Sequence, residues 1–103
     1  MNGYINIDGG NIVITDSDSA YLNGEYTLPE GTTIELRNST LILMYNLYAP
    51  DENSLIGDRY SEIVERGGFL YIGADADVRG HESEITPGSY YYDVKRHKWR
   101  AMK

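Results

Sequence analysis

The densest group of polar side chains suited to chemistry lies early in the last third of the chain. Asp75, Asp77, Arg79 and His81 alternate along the sequence, so they share one face if residues 73–81 are extended. Carboxylate oxygens and imidazole nitrogens are ligands for divalent cations. The guanidinium among them opposes a cation, which favours a solvated, salt-bridged strand face. The sequence leaves open whether Asp75, Asp77 and His81 bind a metal, and we predict no cofactor.

The remaining polar residues do not form a recognisable catalytic motif. No serine has the flanking glycines of a nucleophile elbow, and neither His81 nor His97 has a nucleophile at a telling spacing. Cysteine is absent from the chain, which excludes thiol nucleophiles and disulfides. Glycine pairs such as Gly67-Gly68 are typical of turns and do not form a phosphate-binding loop. We therefore predict that the protein is not an enzyme.

Length and charge exclude further classes of function. The 103 residues, 41% of them hydrophobic, suit one globular domain spanning residues 1–103. A formal charge of −7 argues against direct nucleic-acid binding. The longest apolar run, residues 41–45, is too short for a membrane span, and we expect no signal peptide at the N-terminus.

Charge is divided unequally along the chain. Residues 1–94 contain all 16 acidic side chains, whereas the last nine residues carry five basic ones and no acidic one. We therefore describe residues 95–103 as a basic C-terminal tail. One interpretation is a solvated end that folds back onto the acidic body. The alternative is a tail that docks onto an acidic patch of a neighbouring subunit.

The elements that must position these residues are short strands. Thr33–Arg37 alternates buried-type and polar residues, as a half-buried strand does. Asp8-Gly9-Gly10 and Asn23-Gly24 each separate two short β-type segments and predict hairpins. Residues 58–66 have a weaker helical pattern. We find no internal repeat and predict an all-β fold, a small sandwich or partly closed barrel of about six to eight antiparallel strands. One short helix near 58–66 is left open.

Two segments predict interfaces. The run from Leu41 to Tyr48 has apolar residues on both faces of a predicted strand, as in a central strand or a subunit interface. Three consecutive tyrosines at 90–92 place at least one ring away from the core, where it pairs across strands, anchors a protein contact or stacks on a sugar. The candidate interface residues are Leu41, Leu43, Tyr45, Tyr48, Tyr90, Tyr91, Tyr92, Lys95, Arg96, Lys98, Trp99 and Arg100.

The segment Gly88-Ser89-Tyr90-Tyr91-Tyr92-Asp93-Val94, preceded by Ile85-Thr86-Pro87, resembles the last-strand segment of small immunoglobulin-like modules in tailed-phage virions, of the upper baseplate family. The resemblance covers about ten residues, and a turn followed by a tyrosine-rich strand has a similar pattern. It implies a virion part that assembles with other proteins and has no catalytic residues to carry over. The basic run after Val94 departs from the family pattern, in which an apolar strand follows.

The leading hypothesis is therefore a non-catalytic structural or assembly protein of a bacteriophage virion, from the tail, the baseplate or the head. We expect its partners to be other protein subunits, itself included as a homo-oligomer, with neither nucleic acid nor membrane bound directly. It would reside in the host cytoplasm during assembly and then in the virion. The alternatives are an acidic inhibitor of a host defence protein that mimics nucleic acid, and a carbohydrate-binding module that uses exposed tyrosine rings.

Overall fold

The computed structural model of the chain describes residues 3–5, 9–22, 24–73 and 88–102. In these ranges the chain forms twelve short strands and one 3-10 turn at Glu52–Ser54, and no α-helix. The strands are β1 Gly3–Ile5, β2 Asn11–Thr15, β3 Ala20–Leu22, β4 Tyr26–Thr27, β5 Thr33–Arg37, β6 Thr40–Leu43, β7 Leu47–Ala49, β8 Leu55–Ile56, β9 Glu62–Glu65, β10 Leu70–Ile72, β11 Ser89–Asp93 and β12 Lys98–Ala101.

The strands belong to three sheets, which the chain visits in a fixed order. Sheet I has the order β1-β3-β6-β9-β11-β12, sheet II the order β2-β5-β8, and sheet III the order β4-β7-β10. From β2 to β10 the chain passes through sheets II, I and III three times, and each strand pairs in parallel with its counterpart one turn later. This winding is that of a parallel β-helix with three coils.

The core is the space that the three sheets enclose. Successive side chains of a strand point to opposite faces, so each strand contributes alternate residues to the interior. The fully buried side chains are mainly leucine and isoleucine, and they come from all three sheets: Ile14, Leu22, Leu28, Ile34, Leu36, Leu41, Leu43, Leu47, Leu55, Ile63 and Leu70. The expectation for Thr33–Arg37 is confirmed, because that segment is a strand whose Ile34 and Leu36 are buried.

The expected antiparallel sandwich or barrel is wrong, although the all-β prediction is confirmed. Among the described strands only the pairs β9–β11 and β11–β12 are antiparallel. The glycine-containing turns mislead because a β-helix needs similar turns at its corners. The segments on either side of Asp8-Gly9-Gly10 lie in different sheets, as do those on either side of Asn23-Gly24, so neither pair is a hairpin; residues 6–8 and 23 lie outside the described residues.

The helix considered near residues 58–66 is also wrong, since Glu62–Glu65 forms strand β9. Its burial alternates, with Ile63 and Glu65 inside. β-Branched residues favour a strand over a helix. The glycines that follow do not end a helix but allow a close approach of two coils: a Cβ at Gly68 would collide with the backbone of Tyr45.

The chain does contain a repeat, of about 22 residues, which the sequence analysis missed. Ser17, Ser39 and Ser61 occupy the same corner in successive coils and are all buried. The Ser17 N–H donates to Ser39 Oγ, and the Ser39 N–H donates to Ser61 Oγ, each at 3.1 Å and over a separation of 22 residues. The repeat is hard to recognise in the sequence because the coils share the positions of their apolar residues but few identical amino acids.

The C-terminal hairpin closes one end of the β-helix. Strand β11 turns back beside β9, and β12 pairs with β11 as the last strand of sheet I. Trp99 is fully buried, and its indole Nε1–H donates to the carbonyl of Leu55 at 3.0 Å. It packs edge-on against Tyr92, with ring centroids 5.2 Å apart. Part of the predicted basic tail is therefore a strand of the fold.

Candidate interaction surface

The outer face of sheet I carries an apolar row that crosses several strands. Tyr21 pairs with Ile42, and Ile42 pairs with Val64, in exact register across β3, β6 and β9. The neighbours of each in its own strand point into the core, so these three side chains point outward. Ile42 is nearly covered by its surroundings, at 5% exposed, while Tyr21 and Val64 are half-buried.

Side chains of the C-terminal hairpin extend this row and form a second row beside it. Ser89 lies opposite Val64, and the Met102 N–H donates to the Ser89 carbonyl at 2.8 Å, which places the exposed Met102 at the end of the row. A second row runs through Thr40, Glu62, Tyr91 and Arg100, which are consecutive partners. We call these two rows the outer face of sheet I.

The size of this face follows from strand spacing. Neighbouring strands lie about 4.8 Å apart, so the six strands of sheet I span about 24 Å from β1 to β12. The molecule itself measures 34 × 26 × 25 Å. The outer face of sheet I therefore extends across most of one side of the described molecule.

The turn between β11 and β12 is built around one carboxylate. Asp93 Oδ1 accepts from the N–H groups of Lys95 and Arg96 at 3.1 and 3.2 Å, and Oδ2 accepts from the Arg96 guanidinium at 3.0 Å. Desolvation would raise the pKa of Asp93, but the hydrogen bonds and the charge of Arg96 outweigh it and hold the pKa below its usual value. His97 completes the turn with a positive φ of 55°.

The predicted interface residues divide into an inner and an outer set. Leu41, Leu43, Tyr90, Tyr92 and Trp99 are buried, because they occupy inward positions of β6, β11 and β12. Tyr45, Tyr91, Lys95 and Arg96 are exposed, and Tyr48, Lys98 and Arg100 are half-buried. The two-faced strand predicted from Leu41 to Tyr48 is instead two strands, β6 and β7, that belong to different sheets.

A pair of tyrosines marks the outer face of sheet III. Tyr48 and Tyr71 are register partners, and their rings stack with centroids 4.9 Å apart and planes 11° from parallel. The Asn46 amide Nδ2 donates to the Tyr48 hydroxyl at 3.2 Å, and its Oδ1 accepts from the Phe69 N–H at 2.9 Å. The sequence analysis did not single out Tyr71, although it lies about one repeat after Tyr48.

The buried carboxylate of Glu65 serves the fold. Glu65 is only 5% exposed, and its carboxylate accepts from the N–H groups of Leu70 and Gly88 and from the Tyr90 hydroxyl, at 2.8, 3.1 and 3.0 Å. These contacts join β9, β10 and the start of β11. The sequence analysis did not single out Glu65, because a lone glutamate in a strand gives no sign of burial.

The candidate metal ligands Asp75, Asp77 and His81 lie outside the described residues. Within the described ranges, no three side chains of the metal-ligating types converge. In the same ranges, no helix is long and apolar enough to cross a membrane.

Comparison with family models, with curated proteins and with solved structures finds no match to this chain. The interpretation of the outer face of sheet I therefore depends on its own geometry and chemistry.

Proposed function

We propose that the protein is a non-catalytic structural module that acts through protein–protein contacts, as a component of a bacteriophage virion. The observation that carries the proposal is the outer face of sheet I, where the half-buried Tyr21 and Val64 lie on either side of the covered Ile42, with the exposed Tyr91 and charged side chains in the next row. An apolar centre with a polar border and aromatic anchors is the composition of a protein interface.

The hydrogen bonds made by the buried polar groups support the same function. The buried serines bridge coils, and the Glu65 carboxylate ties three strands together. Such hydrogen bonds hold the backbone in a fixed shape, since an unpaired buried polar group is costly. A rigid face that needs no reordering on binding suits a part that assembles into a larger particle.

This function is favoured over the two alternatives by where the side chains lie. Of the three consecutive tyrosines proposed to stack on sugars, Tyr90 and Tyr92 are buried and only Tyr91 is exposed. A mimic of nucleic acid needs acidic groups in a row like phosphates. In the first coil, Asp16, Glu25 and Glu30 instead lie at three different corners.

The test places a charge on the outer face of sheet I and asks whether the protein still enters particles. In the phage that encodes the chain, Val64→Lys is expected to reduce the amount of protein in purified particles, measured by quantitative mass spectrometry. Val13→Lys is the matched control, because Val13 is an exposed valine on the outer face of sheet II. Absence of the wild-type chain from particles, or equal incorporation of both variants, would contradict the proposal.

A further inference from the structure

The charged side chains of the described residues are graded along the axis of the β-helix. The formal charge changes from −4 in residues 11–30 to −2 in residues 33–52, −1 in residues 55–73 and +3 in residues 88–102. The order of sheet I places the first coil and the C-terminal hairpin at opposite ends of that axis. Among the described residues, the first coil and the C-terminal hairpin therefore carry formal charges of opposite sign.

At the acidic end of the axis, four acidic residues are distributed around the first coil. Asp16 and Asp18 lie at the corner between β2 and β3, Glu25 at the corner before β4, and Glu30 at the corner before β5. All four are exposed, and the first basic residue of the chain is Arg37. The first coil therefore presents negative charge at each of its three corners.

The basic end is the hairpin of β11 and β12. Lys95 and Arg96 are exposed in its turn, while Lys98 and Arg100 are half-buried on β12. Asp93 is the only acidic residue of the described hairpin, and it already pairs with Arg96 at 3.0 Å. Strand β12 is also an outer edge of sheet I, as β1 is at the other end.

The charges of the two ends determine which end-to-end contacts between copies of the chain are attractive. Two hairpin ends repel each other, and so do two first coils, which disfavours both symmetric end contacts. Contact between unlike ends is attractive, and it brings β12 of one copy to the β1 edge of the next, where sheet I and its apolar row can continue. A head-to-tail contact of this kind generates a ring or a filament and does not stop at a dimer.

We propose that the partner of this chain is a second copy of itself, bound head to tail, with the basic hairpin of one copy on the acidic first coil of the next. This inference deepens the proposed function by naming the partner, and it rests on the chain being an assembly module. The contact is electrostatically steered, so its strength falls as salt is added.

Sedimentation velocity of the wild-type chain gives the first test. At about 0.01 M salt, where the Debye length is about 30 Å, species larger than a dimer are expected to grow with protein concentration; at about 1 M salt, where it is about 3 Å, they should dissociate. A monomer at all concentrations in low salt, or a dimer that does not grow, would overturn the inference.

Charge reversal tests which surfaces meet. Lys95→Glu/Arg100→Glu changes the formal charge of the hairpin from +3 to −1, so both ends are acidic, and Asp18→Lys/Glu25→Lys/Glu30→Lys changes that of the first coil from −4 to +2, so both ends are basic. Each variant alone is expected to remain monomeric, whereas an equimolar mixture assembles because unlike ends are again available. Far-UV circular dichroism checks that each variant is folded. If Lys95→Glu/Arg100→Glu unfolds, Lys95→Glu/Arg96→Glu replaces it, because both positions are exposed and the hairpin charge is again −1. A mixture that associates no better than its components would overturn the head-to-tail contact.

The proposed virion function and the proposed head-to-tail contact can be contradicted independently of each other. If end-to-end assembly is absent but Val64→Lys still blocks incorporation into particles, the proposed function stands with a different partner. If the wild-type chain is never found in particles but assembles head to tail in a salt-dependent way, the self-contact stands and the virion function falls.

Discussion

Ser39 shows how one small side chain joins two coils. Its hydroxyl lies 2.8 Å from the Arg37 carbonyl and 3.1 Å from the Ile14 carbonyl, and its oxygen accepts from the Ser17 N–H at 3.1 Å. Ser39→Ala removes the hydroxyl that accepts from the buried Ser17 N–H, so we expect a loss of about 1–3 kcal/mol in the free energy of unfolding. Urea denaturation measures it.

The matched control is Ser89→Ala, on a half-buried strand position. Its effect should stay within about 0.5 kcal/mol. Equal losses for the two variants would mean that the serine corner does not hold the coils together.

Glu65 and Glu62 offer a comparison within one strand. Glu65→Gln replaces one carboxylate oxygen by an NH₂ group that must face the N–H donors of Leu70 or Gly88. Two facing donors in a buried site are destabilising, so we expect a lower midpoint of thermal unfolding. Glu62→Gln, on the outer face of the same strand, should leave it nearly unchanged. A Glu65→Gln protein as stable as the wild type would contradict this account of the carboxylate.

Asp58 predicts a dependence of stability on pH. Burial would raise its pKa, but hydrogen bonds from the Ser61 hydroxyl and from the N–H groups of Asn38 and Tyr60 outweigh burial and hold the pKa below its usual value. A carboxyl whose pKa is lower in the folded state stabilises that state above its unfolded pKa, and this contribution is lost as pH falls through the folded pKa.

Asp58→Asn should therefore be less stable than the wild type at neutral pH, and the difference should shrink as the pH falls below about 4. Urea denaturation at a series of pH values measures the difference. A gap that stays constant down to the pH at which the wild-type carboxyl is protonated would show that the charge of Asp58 does not matter.

At the scale of the element, the C-terminal hairpin packs on the third coil like a lid, and this packing requires a glycine at position 57. A Cβ at Gly57 would lie 2.6 Å from Cζ2 of Trp99. Burial and the carboxylate of Glu52 raise the pKa of Tyr92, which packs on the same indole. The hairpin and the third coil are therefore one packed unit.

Gly57→Ala should displace the indole and partly expose it. Because Trp99 is the single tryptophan, a red shift of its fluorescence at low denaturant reports the movement directly. Gly24→Ala is the control, since a Cβ there meets no atom within 4 Å, and its spectrum should match that of the wild type. An unshifted Gly57→Ala spectrum would contradict the packing of the lid.

Elements were easier to predict from the sequence than the way they are joined. Thr33–Arg37 alternates cleanly and is a strand, and the tyrosine-rich strand at residues 89–93 was likewise identifiable. The parallel pairing of the strands could not be predicted, because hairpins and β-helix corners both use short local turns. The burial of Trp99 also depends on a partner 44 residues away, which no local pattern indicates.

At the scale of the whole molecule, the coil is the unit that repeats. Each coil buries its apolar side chains against the next, so stability in such arrays is approximately a sum over coils and their interfaces. The serine corner gives the phase of the repeat, because Ser17 and Ser39 are equivalent positions. A segment that begins after one of them and ends with the next contains one full coil.

The repeat predicts that a coil can be added. A second copy of residues 18–39 inserted after Ser39 keeps every strand in phase and extends all three sheets by one strand. The variant should fold cooperatively and show a larger m-value in urea, since more surface is buried on folding. The same 22 residues inserted after Leu43 have the same composition but lie four residues out of phase. Arg37 of the insert then takes the inward phase of Ile63, so the protein should lose its cooperative transition. Equal folding of both insertions would show that the 22-residue phase does not govern this fold.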